Sequence, residues 1–234
     1  MPLIKAVFFD WFNTLARFEP PREELYSQAF QQFGIGLSSK AIMRGILTGD
    51  QYYFQENAKS PVEKRSPEEQ AKVYSYYPKA ILTEAGIEAP QELPLKIVKI
   101  LFQQFKGVTF ALFDDVLSAL KKLKEQRLIL GLLTNMKDVN SICHRLGLEP
   151  YLNFIVSSGE VGVDKPDPRF FLAALKQAAV EPQEAVHIGD QYKIDIEGAR
   201  GVGITPILID RYDLYPEVSD CPRIRNLTEV AQHL

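Results

Sequence analysis

Residues 4–15 read IKAVFFDWFNTL, an apolar run from Ile4 to Phe9 that stops abruptly at Asp10. A run this short and this continuous suits a strand buried on both faces of a parallel sheet. An acid at its carboxyl end is held rigidly and points into whatever crevice the sheet forms there. Taken alone, Asp10 reads equally well as a turn or capping residue, and Thr14 as the start of a helix.

Four later runs have the same shape. Leu128–Leu133 ends in Thr134-Asn135, Asn153–Val156 in Ser157-Ser158, and Ala185–Ile188 in Gly189-Asp190, while Ile204–Ile209 follows the Gly-rich GARGVG. Amphipathic stretches lie between them. Val116, Leu117, Leu120 and Leu123 repeat at helical spacing, Asp138–Leu146 is closed by Gly147, and Pro168–Val180 and Ile194–Arg200 fill the remaining gaps. This alternation predicts a doubly wound α/β domain with a parallel sheet, in which ligands bind beyond the carboxyl ends of the strands.

The block from Ala16 to Thr109 has helical periodicity without strand-like runs. Leu25, Ala29, Phe30 and Phe33 make one stripe, and Ile97, Ile100, Leu101 and Phe105 another. One strand precedes the block and the rest follow it, so residues 16–109 are expected to form a helical cap inserted into a core made of residues 1–15 and 110–234. The aromatic run Gln51–Phe54 is expected to pack in the cap interior. Asn226 and Glu229 have the spacing of a capping box for a short terminal helix.

Composition narrows the function classes. The chain is 46% hydrophobic and 24% charged, enough apolar material for a substantial core. Its net charge of -3 and its scattered Lys and Arg residues argue against a nucleic-acid partner. Cys143 and Cys221 are too few for a disulfide framework. With no run suited to a signal or a membrane span, a soluble cytoplasmic protein is expected, as a monomer or weak homodimer.

Four sites carry chemistry. The first is Asp10 with Thr14. The second is Thr134-Asn135, a hydroxyl and an amide at a strand end able to hold a phosphate oxygen. In the third, VDKPDP, Pro166 biases Lys165 towards an extended backbone and lets its ammonium project over the crevice. The fourth is GDQYKID, where Asp190 and Asp195 repel each other unless a cation lies between them, and oxygen ligands of this kind favour Mg²⁺. His187, inside an apolar run, reads as a core or supporting residue rather than a ligand. Each feature has a bland reading as a turn, a cap or a surface charge; their order along the chain, each at a strand end, does not.

This set resembles the haloacid dehalogenase superfamily over essentially the whole chain. Asp10 to Thr14 looks like its first motif, Thr134 its second, Lys165 its third, and Gly189-Asp190 with Asp195 its fourth; the insertion is similar to the family's C1-type cap. The resemblance implies that Asp10 is a nucleophile forming a covalent aspartyl intermediate, with Thr14 beside it. It implies that Thr134, Asn135 and the backbone N–H groups of Trp11 and Phe12 bind the transferring group, and that Lys165 orients and balances Asp10. Mg²⁺ would be held by Asp10, the carbonyl of Phe12, Asp190 and Asp195. The expected substrate is a small phosphorylated molecule.

One position departs from the family pattern. Family phosphatases carry D-x-D-G-T, and here the segment is Asp10-Trp11-Phe12-Asn13-Thr14. The missing second Asp serves as general acid and base, which is typically worth about 10²–10⁴-fold. Three readings follow: a phosphatase whose leaving group needs no proton or whose cap supplies one, a 2-haloacid dehalogenase-like hydrolase, or a weakly active binding or regulatory protein. Dehalogenases need no metal-binding acidic pair, so Asp190 favours the first. Arg44, Lys59, Lys64 and Arg65 have the charge to meet an anionic substrate, although solvated surface is the simpler reading of each.

Overall fold

The computed structural model describes residues 3–234, which divide into two compact units, residues 3–17 with 110–234 and residues 18–109. The elements in chain order are β1 (Ala6–Asp10), β2 (Ala16–Glu19), α1 (Arg22–Gln31), α2 (Ser39–Lys59), α3 (Pro67–Tyr74), α4 (Tyr76–Glu84), α5 (Leu93–Gln104), β3 (Thr109–Leu112) and α6 (Val116–Glu125). They continue with β4 (Ile129–Thr134), α7 (Asn140–Arg145), β5 (Phe154–Ser157), α8 (Ser158–Val161), α9 (Pro168–Ala178), β6 (Ala185–Gly189), α10 (Glu197–Gly201), β7 (Thr205–Ile209) and β8 (Arg223–Ile224).

The first unit is a mixed α/β fold around a six-stranded sheet in the order β5-β4-β1-β6-β7-β8, with every neighbouring pair parallel. The apolar run after Lys5 is continuous because β1 is covered on both faces. Val7 and Phe9 point to one side, against Val116, Leu120 and Leu123 of α6. Ala6 and Phe8 point to the other, against Phe170, Phe171 and Ala174 of α9. That alternation is the two-residue period of a strand, with a helix layer on each face. The strand order reverses at β1, so a crevice opens at its carboxyl end, where Asp10 lies.

The five long strand runs occur where the sequence places them, with ends shifted by one or two residues. The terminal segment forms a 3₁₀ turn from Leu227 to His233, with Asn226 and Glu229 in the expected capping box. Three short strands escape the sequence reading. β2 and β3 pair in a two-stranded sheet and contain the points where the chain passes between the units, and the two-residue β8 extends the main sheet. Between β6 and α10 the backbone makes a π-helical turn, Tyr192–Ile196, in place of a regular helix start.

The second unit consists of α1–α5 and has its own core, including Leu25, Ala29, Phe30, Ile42, Ile46, Ile81, Ile97 and Leu101. Gly45 and Gly49 let α2 approach α4 closely, since a Cβ at either would lie within 2.4 Å of Ile81 or Tyr77. The aromatic run on α2 is half-buried rather than interior. Tyr52 stacks on Tyr76 with centroids 4.0 Å apart, and Tyr53 on Tyr74 at 6.0 Å. Arg65 and Lys59 are both tied to Glu56, at 2.8 and 2.5 Å, so neither is an uncommitted cation.

Candidate active site

The four polar sites converge within the α/β unit. Lys165 follows β5 and α8, and its side chain is almost completely buried. Its Nζ donates to Asp10 Oδ1 at 2.6 Å and to Asp195 Oδ1 at 2.7 Å. Asp10, Asp190 and Asp195 each bring one oxygen within 4.8 Å of the others. Three carboxylates from the ends of two parallel strands therefore share one small volume.

Burial and charge act against each other in this volume. Burial pushes the Asp10 carboxyl up to about 6; Lys165 pulls the other way and Asp195 adds to the rise. For Asp195, burial is outweighed by Lys165 and by the hydrogen bond from His187, which hold it down at about 2. Burial works against the Lys165 charge too, yet the two carboxylates keep that ammonium above its usual range. One ammonium thus stands among three clustered acids. The donor set is all oxygen and acidic, so the residues fit a hard divalent cation such as Mg²⁺.

Asp195 is held by three protein groups. Oδ1 accepts from Lys165 and lies 3.0 Å from His187 Nε2, and Oδ2 accepts from the Gln191 backbone N–H at 3.1 Å. Gly189 makes room for it, because a Cβ there would come within 2.2 Å of the Asp195 carboxyl. His187 is fully buried in β6, and burial lowers its pKa; it supports Asp195 from behind.

The loop after β1 is a tight turn in which Leu15 and Ala16 N–H both donate to the Trp11 carbonyl, at 3.0 and 2.9 Å. Asn13 sits at its tip with φ of 59°, in the left-handed region that Asn tolerates better than most residues. Its Nδ2 donates to Asp190 Oδ2 at 3.0 Å and so joins the first motif to the fourth. The Phe12 ring packs edge-on to Phe110 at 6.4 Å, as Trp11 does at 5.6 Å. An apolar contact thus replaces the acid expected in a phosphatase. Thr14 is fully buried, and its hydroxyl has no hydrogen-bond partner among the described residues.

Thr134 Oγ1 accepts from the Met136 N–H at 3.1 Å at the end of β4. Asn135, expected at the substrate, uses both ends of its amide on the Lys165 backbone: Nδ2 donates to its carbonyl at 3.1 Å and Oδ1 accepts from its N–H at 2.8 Å. That pair of hydrogen bonds sets the Lys165 main chain. Two further residues escaped the sequence reading, Asn13 and Arg211. Arg211 follows β7, donates to the Thr14 carbonyl at 2.8 Å and to Asp115 at 3.1 Å, and lies 3.9 Å from the Phe113 ring centroid. Its signal was available: a cation directly beyond a buried strand, at the sheet end where the other motifs gather.

Among the described residues no helix is long and apolar enough to cross a membrane. Comparison with known proteins agrees with the geometry. A family model for haloacid dehalogenase-like hydrolases matches residues 4–203. A glyceraldehyde 3-phosphate phosphatase of Methanopyrus kandleri is 28% identical, with 99% of each chain covered. A 2-haloacid dehalogenase of Pseudomonas syringae superposes with a TM-score of 0.56 at 25% identity, covering 98% of this chain and 97% of that one. The magnesium-bound Bacillus subtilis HAD-hydrolase YfnB superposes with a TM-score of 0.61 at 22% identity, covering 100% and 99%. With its sheet order, strand-end acids and family match in agreement, the chain is an enzyme of the haloacid dehalogenase-like hydrolase family.

Proposed function

We propose that this enzyme is a Mg²⁺-dependent phosphatase acting on a small phosphorylated metabolite through an aspartyl-phosphate at Asp10. The observation that carries this reading is the Lys165 ammonium bridging Asp10 and Asp195 beside the acid of Asp190. The similarity to the glyceraldehyde 3-phosphate phosphatase of Methanopyrus kandleri along its full length supports it.

In this reading an Asp10 carboxylate oxygen attacks phosphorus, the ester oxygen leaves, and water then attacks the acyl phosphate to release phosphate and restore Asp10. Lys165 holds the nucleophile in place and favours its ionised form. Thr134 and the N–H groups of Trp11 and Phe12 receive the phosphoryl oxygens, with Thr14 buried beneath the same loop. Asn135 acts on the Lys165 backbone. Asp10, Asp190 and the Phe12 carbonyl would hold Mg²⁺, with Asp195 behind them. When bound, the ion neutralises phosphate charge and aligns the in-line displacement.

Phe12 narrows the substrate. Without a carboxyl at that position, nothing in the first motif protonates an alkoxide. Aryl and acyl phosphates, whose leaving groups need little or no protonation, should be the better substrates. Residues 18–109 act in this account as the cap that selects among them. A second reading, dehalogenation of a 2-haloacid, is favoured by the same Phe12 and by the likeness to the Pseudomonas syringae enzyme; halide leaves without a proton. Asp190 weighs against it. Assays of phosphate esters, acyl phosphates and 2-haloacids with and without Mg²⁺ separate the two: metal-dependent phosphate release supports the first, and EDTA-resistant halide release the second.

A further inference from the structure

Residues 18–109 line a half-open cavity of about 290 Å³ that no step above uses, and every residue lining it belongs to that unit. Its lining includes the buried Tyr26, Tyr77 and Leu101 and the half-buried Arg22 and Tyr74, and Phe102 stands exposed at its mouth. The volume is at the lower edge of that seen for small-molecule pockets, about 300 Å³. It suits one small ring system.

The only formal charge in the lining is already balanced. Arg22 donates to both oxygens of Asp50, at 3.0 and 2.9 Å, and the Tyr77 hydroxyl donates to Asp50 Oδ1 at 2.8 Å. An incoming anion near Arg22 would meet the Asp50 carboxylate behind it, and a cation would meet the guanidinium. Burial raises the Tyr26 and Tyr77 phenols above their usual range, so both stay neutral. At the mouth, Phe102 is 43% exposed and stands edge-on to Tyr74 at 5.4 Å. Aromatic rings at such angles accept a further ring edge-to-face or offset.

We propose that this cavity binds one small uncharged aromatic molecule. The proposal does not depend on the reaction at Asp10. Isothermal titration of the full chain with indole, indole-3-acetate and tryptamine tests it, since the three share a ring system and differ in charge. The expected result is an indole dissociation constant on the order of 10–100 µM. Both charged congeners should bind at least about tenfold more weakly. Val98→Phe, which fills the cavity from α5, should abolish indole binding, and Phe102→Ala at the exposed mouth should weaken it. No indole binding at about 1 mM, equal binding of the charged congeners, or wild-type affinity in folded Val98→Phe would each overturn the proposal. If Val98→Phe does not fold, Phe102→Ala decides, and unchanged indole affinity there counts against the site.

Discussion

Lys165 Nζ stands 2.6 Å from Asp10 Oδ1 across 155 residues of chain, in a position almost closed to solvent. Removing that ammonium takes from Asp10 and Asp195 the cation they share, and leaves Asp195 with only His187 and the Gln191 N–H. Lys165→Met should therefore lower the unfolding free energy by about 3–5 kcal/mol, the usual cost of breaking a buried pair, and abolish turnover. Urea denaturation measures the first effect, and a change below about 1 kcal/mol would show that the bridge is not buried as described.

Asn13 offers a finer test, because it combines a left-handed backbone with the bond to Asp190. Asn13→Gly keeps the backbone conformation and loses the bond; Asn13→Ala loses both. Alanine should be the less stable by about 1 kcal/mol. Both should weaken Mg²⁺-induced thermal stabilisation to a similar degree. Equal stability of the two variants would deny the backbone argument, and undiminished Mg²⁺ stabilisation the role of Asn13 at Asp190.

Arg211 braces the loop that follows the nucleophile through the Thr14 carbonyl. Arg211→Met should increase amide hydrogen exchange across residues 11–16 and lower kcat more than it changes KM. Arg223→Met is the control, since Arg223 pairs with Asp210 at 2.9 Å in the same C-terminal region. If both variants change exchange in that loop alike, Arg211 contributes only general stability.

Phe12 predicts a change in preference. Phe12→Asp restores the acid of the family pattern and should raise turnover of alkyl phosphates more than of aryl phosphates, by up to about 10²-fold. Loss of the contact with Phe110 will cost some stability, so activities should be compared at equal folded fraction. An equal effect on both substrate classes would mean that the leaving-group proton comes from elsewhere.

The central strands were legible because burial on both faces leaves a continuous apolar run, as in Ala6–Phe9 and Leu130–Leu133. β2, β3 and β8 were not, since they are short and carry polar residues such as Arg17, Thr109 and Arg223. Asp10, Lys165, Asp190 and Asp195 could be named in advance because Asp10 and Asp190 close recognisable runs and the other two lie in the connections that follow such runs. Their partners could not. The bond from Asn13 to Asp190 spans 177 residues, and the two bonds from Asn135 to the Lys165 backbone depend on loop conformations that no local periodicity encodes. Asp195 illustrates the limit: its spacing from Asp190 suggested a metal ligand, while its position shows it holding Lys165 and Gln191 as well.

The most direct test of the account is phosphate release from an aryl phosphate by wild type and Asp10→Asn, each assayed with Mg²⁺ and with EDTA. The account predicts release only from wild type with Mg²⁺. Release that persists in EDTA, or in Asp10→Asn, would contradict it.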